Sequence, residues 1–124
     1  MKIAVLIARI LLGLIFLFFG LNAFFNFLHA PMPTGVAGQF IGALYASHFY
    51  VVPFAFQIVG GLLLLSGRFV SLALVILAPI LVNILTFHLT MAPGILPGLV
   101  CTVLWFIIFA AHRSSFAGIL SANG

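Results

Sequence analysis

The sequence predicts an all-α integral membrane protein: a four-helix up-down bundle with a short interfacial helix between the first and second spans. Three observations carry that prediction. The 124 residues are 66% hydrophobic and only 3% charged, whereas soluble domains carry roughly a quarter charged residues. A water-soluble fold cannot hide this much apolar surface, so the solvent must be lipid. The apolar residues also fall into long runs separated by proline- and glycine-rich breakers, and the chain contains no Asp or Glu.

The chain reads as one membrane domain, 1–124. The first run, 3–28, is apolar apart from Arg9, Asn22 and Asn26, and about 20 helical residues suffice to cross the hydrocarbon. It is a span and not a cleaved leader, because it is too long for one and Arg9 interrupts it. "HAPMPT", from His29 to Thr34, holds two prolines that forbid regular helix. Residues 35–47 then put Val36, Phe40 and Leu44 on one helical stripe. Some 13 residues cannot span, so this segment is the interfacial helix. The second span covers 49–66, with Pro53 tolerated in its first turn and Gly67 placed to end it. The third covers 69–90 and contains Pro79. A second breaker cluster, "MAPGILP", leads into the fourth, 95–113.

Four spans put the N-terminus, the loop between the second and third spans, and the C-terminus on one side. Lys2, Arg68 and Arg113 fall there, and Arg9 lies close to that end of the first span. The positive-inside rule therefore predicts both termini in the cytoplasm. The same four cations are candidate anchors for lipid phosphates or partner acids. They are too dispersed for a nucleic-acid surface. With no carboxylate, the chain has no carboxylate general acid or base and no carboxylate ligand for a hard cation. One cysteine, Cys101, allows no intramolecular disulfide, and it reads as a small packing residue.

Polar residues inside a membrane are expensive, so each calls for a reason. Gln57, Gly61, Leu64 and Arg68 share one stripe of the second span, with Gly60 beside it. Gly13 and Gly20 share a face of the first with Arg9. Small residues let helix backbones approach and an amide bonds across helices, so Gln57, Gly60, Gly61, Gly13 and Gly20 are expected to pack helices together. Asn22 and Asn26 form a separate stripe with His29. Together with Asn83 and His88 they are candidates for a polar pocket that could hold a quinone or pigment. His29, His48 and His88 all fall at the outer side. Three imidazoles can bind zinc or copper, but their spacing is not that of a metal motif.

Three stretches carry a resemblance. "RILLG…FGLN", "GGLLLLSGRF" and "LAPILVNI…FH" resemble the DoxX-like family of small four-helix bacterial membrane proteins, over residues 9–113. The resemblance implies the same architecture and a bacterial cytoplasmic membrane. It also implies a link to quinone-dependent oxidoreductases, since the family name comes from a subunit of one. Members commonly carry Glu where this chain has Gln57, a group that cannot ionise. Three functions follow as expectations. The first is a non-catalytic accessory subunit of a larger respiratory or photosynthetic complex, with lipids and other subunits as partners. The second is a quinone-linked oxidoreductase subunit. The third, a small transporter or channel, has the least support, because no inverted repeat is visible.

Overall fold

The computed structural model describes residues 2–119 and 121–122. Five α-helices follow one another: α1 Lys2–Phe25, α2 Gly35–Ala46, α3 Val51–Ser66, α4 Val70–Thr90 and α5 Leu96–His112. A single 3-10 turn, Arg113–Phe116, follows α5. No strand occurs among the described residues.

Four helices make the bundle. α1 packs against α3 and α5, and α4 packs against the same two, which closes a ring in which α1–α3 is the most extensive contact. All four contribute to one core, built around Leu12, Phe16, Leu64, Leu74, Leu77 and Ile108, with Cys101 among them. Outward, the surface is aliphatic and aromatic: Leu14, Val52, Leu62, Val82 and Phe106 are each at least half exposed. An apolar surface of that extent is untenable in water and ordinary in lipid. α1, α4 and the continuous α5–3-10 segment are each long and apolar enough to cross a bilayer.

α3 is the exception. Its 16 residues reach about 24 Å, short of the roughly 30 Å hydrocarbon core. α2 meets it at 87°, so α2 turns across the end of the bundle away from Lys2 and Arg9. His48 makes that corner with a positive φ of 63°. The hydroxyl of Ser47 accepts the Phe49 N–H at 3.2 Å and donates to the Leu44 carbonyl at 3.3 Å.

α1 stops three residues earlier than the sequence reading had it. Asn26 adopts a left-handed φ of 53°, and its N–H bonds the Asn22 carbonyl at 2.7 Å. Asn is the commonest stand-in for glycine at such a helix stop. The Asn22 side chain then accepts the Leu28 N–H at 2.9 Å, which folds the chain back after the stop. Asn22 and Asn26 therefore do not form one helical stripe with His29.

Close approach defines the α1–α3 seam. A methyl group added at Gly61 would lie 2.8 Å from the Leu17 backbone nitrogen. One at Gly20 would lie 3.3 Å from the Ile58 nitrogen, and one at Gly13 would lie 3.0 Å from the Gly61 carbonyl. Gly60 faces the other way and receives the Leu77 side chain of α4. Neither helix can retreat without opening the contact, so Gly61→Val is expected to cost about 1–3 kcal/mol through overpacking. Gly42→Ala, in open space on α2, should leave stability unchanged or raise it by up to about 1 kcal/mol. Thermal unfolding of the two variants in detergent checks the contrast.

Candidate functional site

Two places gather polar chemistry, one at each end of the bundle. At the cation-bearing end, α3 terminates on Gly67, whose φ of 74° is left-handed. The Gly67 N–H bonds the Leu63 carbonyl at 3.2 Å. The same N–H is shared with the Leu64 carbonyl at 3.3 Å, so Leu64 has half of a shared donor and Leu65 depends on a donor from outside the helix, as at a helix C-terminus. Arg9 of α1 serves both: its Nη1 donates to the Leu64 carbonyl and, at 3.3 Å, to that of Leu65. A cation on the last carbonyls also matches the negative end of the helix dipole. Gly67 makes room for it, since a methyl group there would lie 3.1 Å from Arg9 Nη1. Arg9 is therefore a clasp between α1 and α3. Arg68 and Lys2 are exposed, as is Arg113. The Arg68 guanidinium stands 6.0 Å from the Phe69 ring centroid.

Two turns further along the same seam, Gln57 is only 4% exposed. Its Nε2 donates to the Phe16 carbonyl at 3.4 Å, the long end of a hydrogen bond. Arg9 and Gln57 thus serve the same interface at different depths. Seven helical residues, about 10 Å, separate Gln57 from Leu64, where Arg9 binds.

At the opposite end an open pocket of ≈ 470 Å³ is lined by Asn22, Asn26, Tyr45, Tyr50 and the proline loop. Tyr45 and Tyr50 stack with centroids 4.5 Å apart, and the Tyr45 hydroxyl donates to the Ala23 carbonyl at 3.4 Å. Burial first, and Tyr50 second, push the Tyr45 hydroxyl above its usual value, so it remains a donor. The pocket can offer amide and phenol hydrogen bonds beside aromatic faces. Asn83 and His88 are not part of it. Asn83 donates to the Pro79 carbonyl of its own helix at 3.0 Å, and His88 Nδ1 lies 3.3 Å from the Pro93 carbonyl. The four residues grouped in the sequence reading as one pocket therefore divide into two pairs on different elements.

His29, His48 and His88 do not converge either. Among the described residues, no three His or Cys side chains come together as a metal site. His29 and His48 both have positive φ and turn the backbone, which His tolerates better than most side chains. Sequence reasoning also missed the role of Trp105, whose indole N–H donates to the Leu74 carbonyl of α4 at 3.0 Å. That carbonyl neighbours Val75, the one left without a helical donor by Pro79.

Replacing the buried amide by an ionisable group tests the chemistry of the seam. In Gln57→Glu, a protonated carboxyl can still donate to the Phe16 carbonyl, but the ionised form cannot and buries a charge. The neutral form is the one the fold favours, so stability is retained at acid pH and lost as pH rises through the carboxyl's titration in the folded protein. The alkaline loss is expected at roughly 3–5 kcal/mol. Unfolding midpoints of Gln57→Glu and the parent chain across pH, with the variant falling relative to the parent through the carboxyl's titration, check it.

The DoxX family model matches residues 4–89. No curated protein and no solved structure matches the chain. The matched stretch runs from the first turn of α1 almost to the end of α4 and contains Arg9, Gly13, Gln57, Gly61 and Gly67. The α1–α3 seam thus lies wholly within it, and the chain belongs to the DoxX family.

Proposed function

We propose that the chain is a non-catalytic accessory subunit of a larger membrane complex of the electron-transfer type, placed in the bacterial cytoplasmic membrane with both termini inside. The observation that carries this reading is where the intramembrane polar side chains point. Arg9, Gln57, Asn83, Thr86, Thr102 and Trp105 each donate to a backbone carbonyl of the bundle. The hydrogen bonds of Arg9, Gln57 and Trp105 join one helix to another, and those of Asn83, Thr86 and Thr102 close back on their own helix, so all six are spent within the bundle. The lateral surface, by contrast, offers bare aliphatic and aromatic side chains to neighbours. Gln57 supports the reading further: the residue expected to be acidic in relatives is here a neutral packing group.

Orientation rests on the clustering of charge. Arg9 meets the end of α3, while Lys2 and Ala111 line a common groove, so the termini and the α3–α4 hairpin share one end. All four cations belong to that end, and cytoplasmic retention of Lys and Arg supports its lying inside.

A second reading, a quinone-linked subunit, draws on one observation. The outer pocket has the volume typical of small-molecule sites, and Asn26 and the Tyr pair could bind a quinone carbonyl and ring. Mild solubilisation from native membranes separates the two, with intact-mass analysis of everything retained. The accessory reading expects stoichiometric larger subunits and a chain that by itself carries no quinone. A lone chain emerging with bound quinone would overturn it in favour of the second.

A further inference from the structure

The four cations are not equivalent. Arg68 and Arg113 stand on the surface, but Lys2 and Arg9 line one groove of ≈ 320 Å³ between α1 and α5. They sit seven residues apart, and so on one face of α1. The remaining walls are Val5, Leu6 and Ala111, all apolar. No Asp or Glu side chain exists in the sequence to neutralise the pair. Arg9 gives only Nη1 to the α3 carbonyls, and a guanidinium carries five N–H donors in a fork suited to oxyanions.

We propose that this groove holds one anionic phospholipid, its phosphate between Lys2 and Arg9 and its glycerol and first acyl carbons along Val5, Leu6 and Ala111. A free phosphate satisfies the cations but leaves the apolar walls unused. A lipid uses both, and the groove opens on the flank of the bundle, where Leu6 is 44% exposed. Phosphate on the free edge of Arg9 also holds the guanidinium in the orientation that clasps α3, so the lipid stabilises the α1–α3 hairpin from outside. This site does not depend on whether the chain serves a larger complex.

Lipid titration of the purified chain in neutral detergent, read by native mass spectrometry, tests the site. Phosphatidylglycerol is expected to remain as a one-to-one adduct at concentrations where phosphatidylcholine does not. Lys2→Gln should weaken that adduct roughly fivefold, the weight of one cation near an anionic headgroup. Ala111→Phe, which fills the groove without touching its charge, should abolish it. Arg68→Gln should leave it unchanged. Equal retention of the two lipids would overturn the proposal. So would an equal loss in Arg68→Gln and Lys2→Gln, an adduct that survives Ala111→Phe, or displacement of the lipid by equimolar inorganic phosphate.

Discussion

The Arg9 guanidinium on the last carbonyls of α3 is the contact from which the rest of the bundle takes its register. α1 has 24 residues and α3 only 16, a difference of about 12 Å along their axes. Arg9 lies seven residues into α1, about 10 Å from Lys2. The short helix therefore ends at the depth where the long one carries its charge. In lipid a helix end cannot leave its carbonyls bare, and an arginine cannot leave its charge unsolvated. Each group answers the other's cost. An arginine that looks misplaced in an apolar run is the cap of a neighbouring helix.

From that clasp the seam continues inward by close packing. Helices in lipid gain little from hydrophobic burial against one another, because the tails are as apolar as leucine. Their association depends on backbone approach and on hydrogen bonds. Gly13 and Gly61 bring α1 and α3 together one turn below Arg9, and Gly20 receives Ile58 two turns beyond. Gln57 adds a weak amide bond between these levels. Gly60 points away from the seam and lets α4 close on α3 through Leu77. The Trp105 indole ties α5 to α4 beside the proline gap. The α1–α3 and α4–α5 interfaces thus each carry a side-chain donor on a backbone carbonyl, while α3–α4 closes on a small residue.

The bundle was legible in the sequence because composition and breakers dictate it: apolar runs of spanning length admit few alternatives in lipid. The packing glycines were legible for the same kind of reason, since helical spacing puts Gly13, Gly20 and Gly61 on defined stripes. What escaped was every feature that depends on a partner distant in sequence. Nothing near Arg9 says that its acceptors lie 55 residues away. The amide stripe of Asn22 and Asn26 presumed a helix that continues past residue 25, whereas Asn26 turns left-handed and ends it. A helix stop at Asn was a readable signal that the unbroken apolar run obscured. Asn83 and His88 failed to join the outer pocket because each had an acceptor on its own segment, and local bonds form at less entropic cost than distant ones.

For a member of the DoxX family, the neutral seam matters functionally. The position expected to carry a carboxylate in relatives is here part of the helix-packing machinery, two turns from the contact of Arg9 with the end of α3. Arg9 and the α3 terminus act as one unit, and a double-mutant cycle between Arg9→Met and Gly67→Ala measures the coupling directly. Gly67→Ala strains a left-handed position and also crowds the guanidinium, so its cost should fall once Arg9 is gone. A coupling of about 0.5–3 kcal/mol in unfolding free energy is expected. Strictly additive losses would contradict it, because they would mean that Arg9 and the helix end stabilise the protein independently.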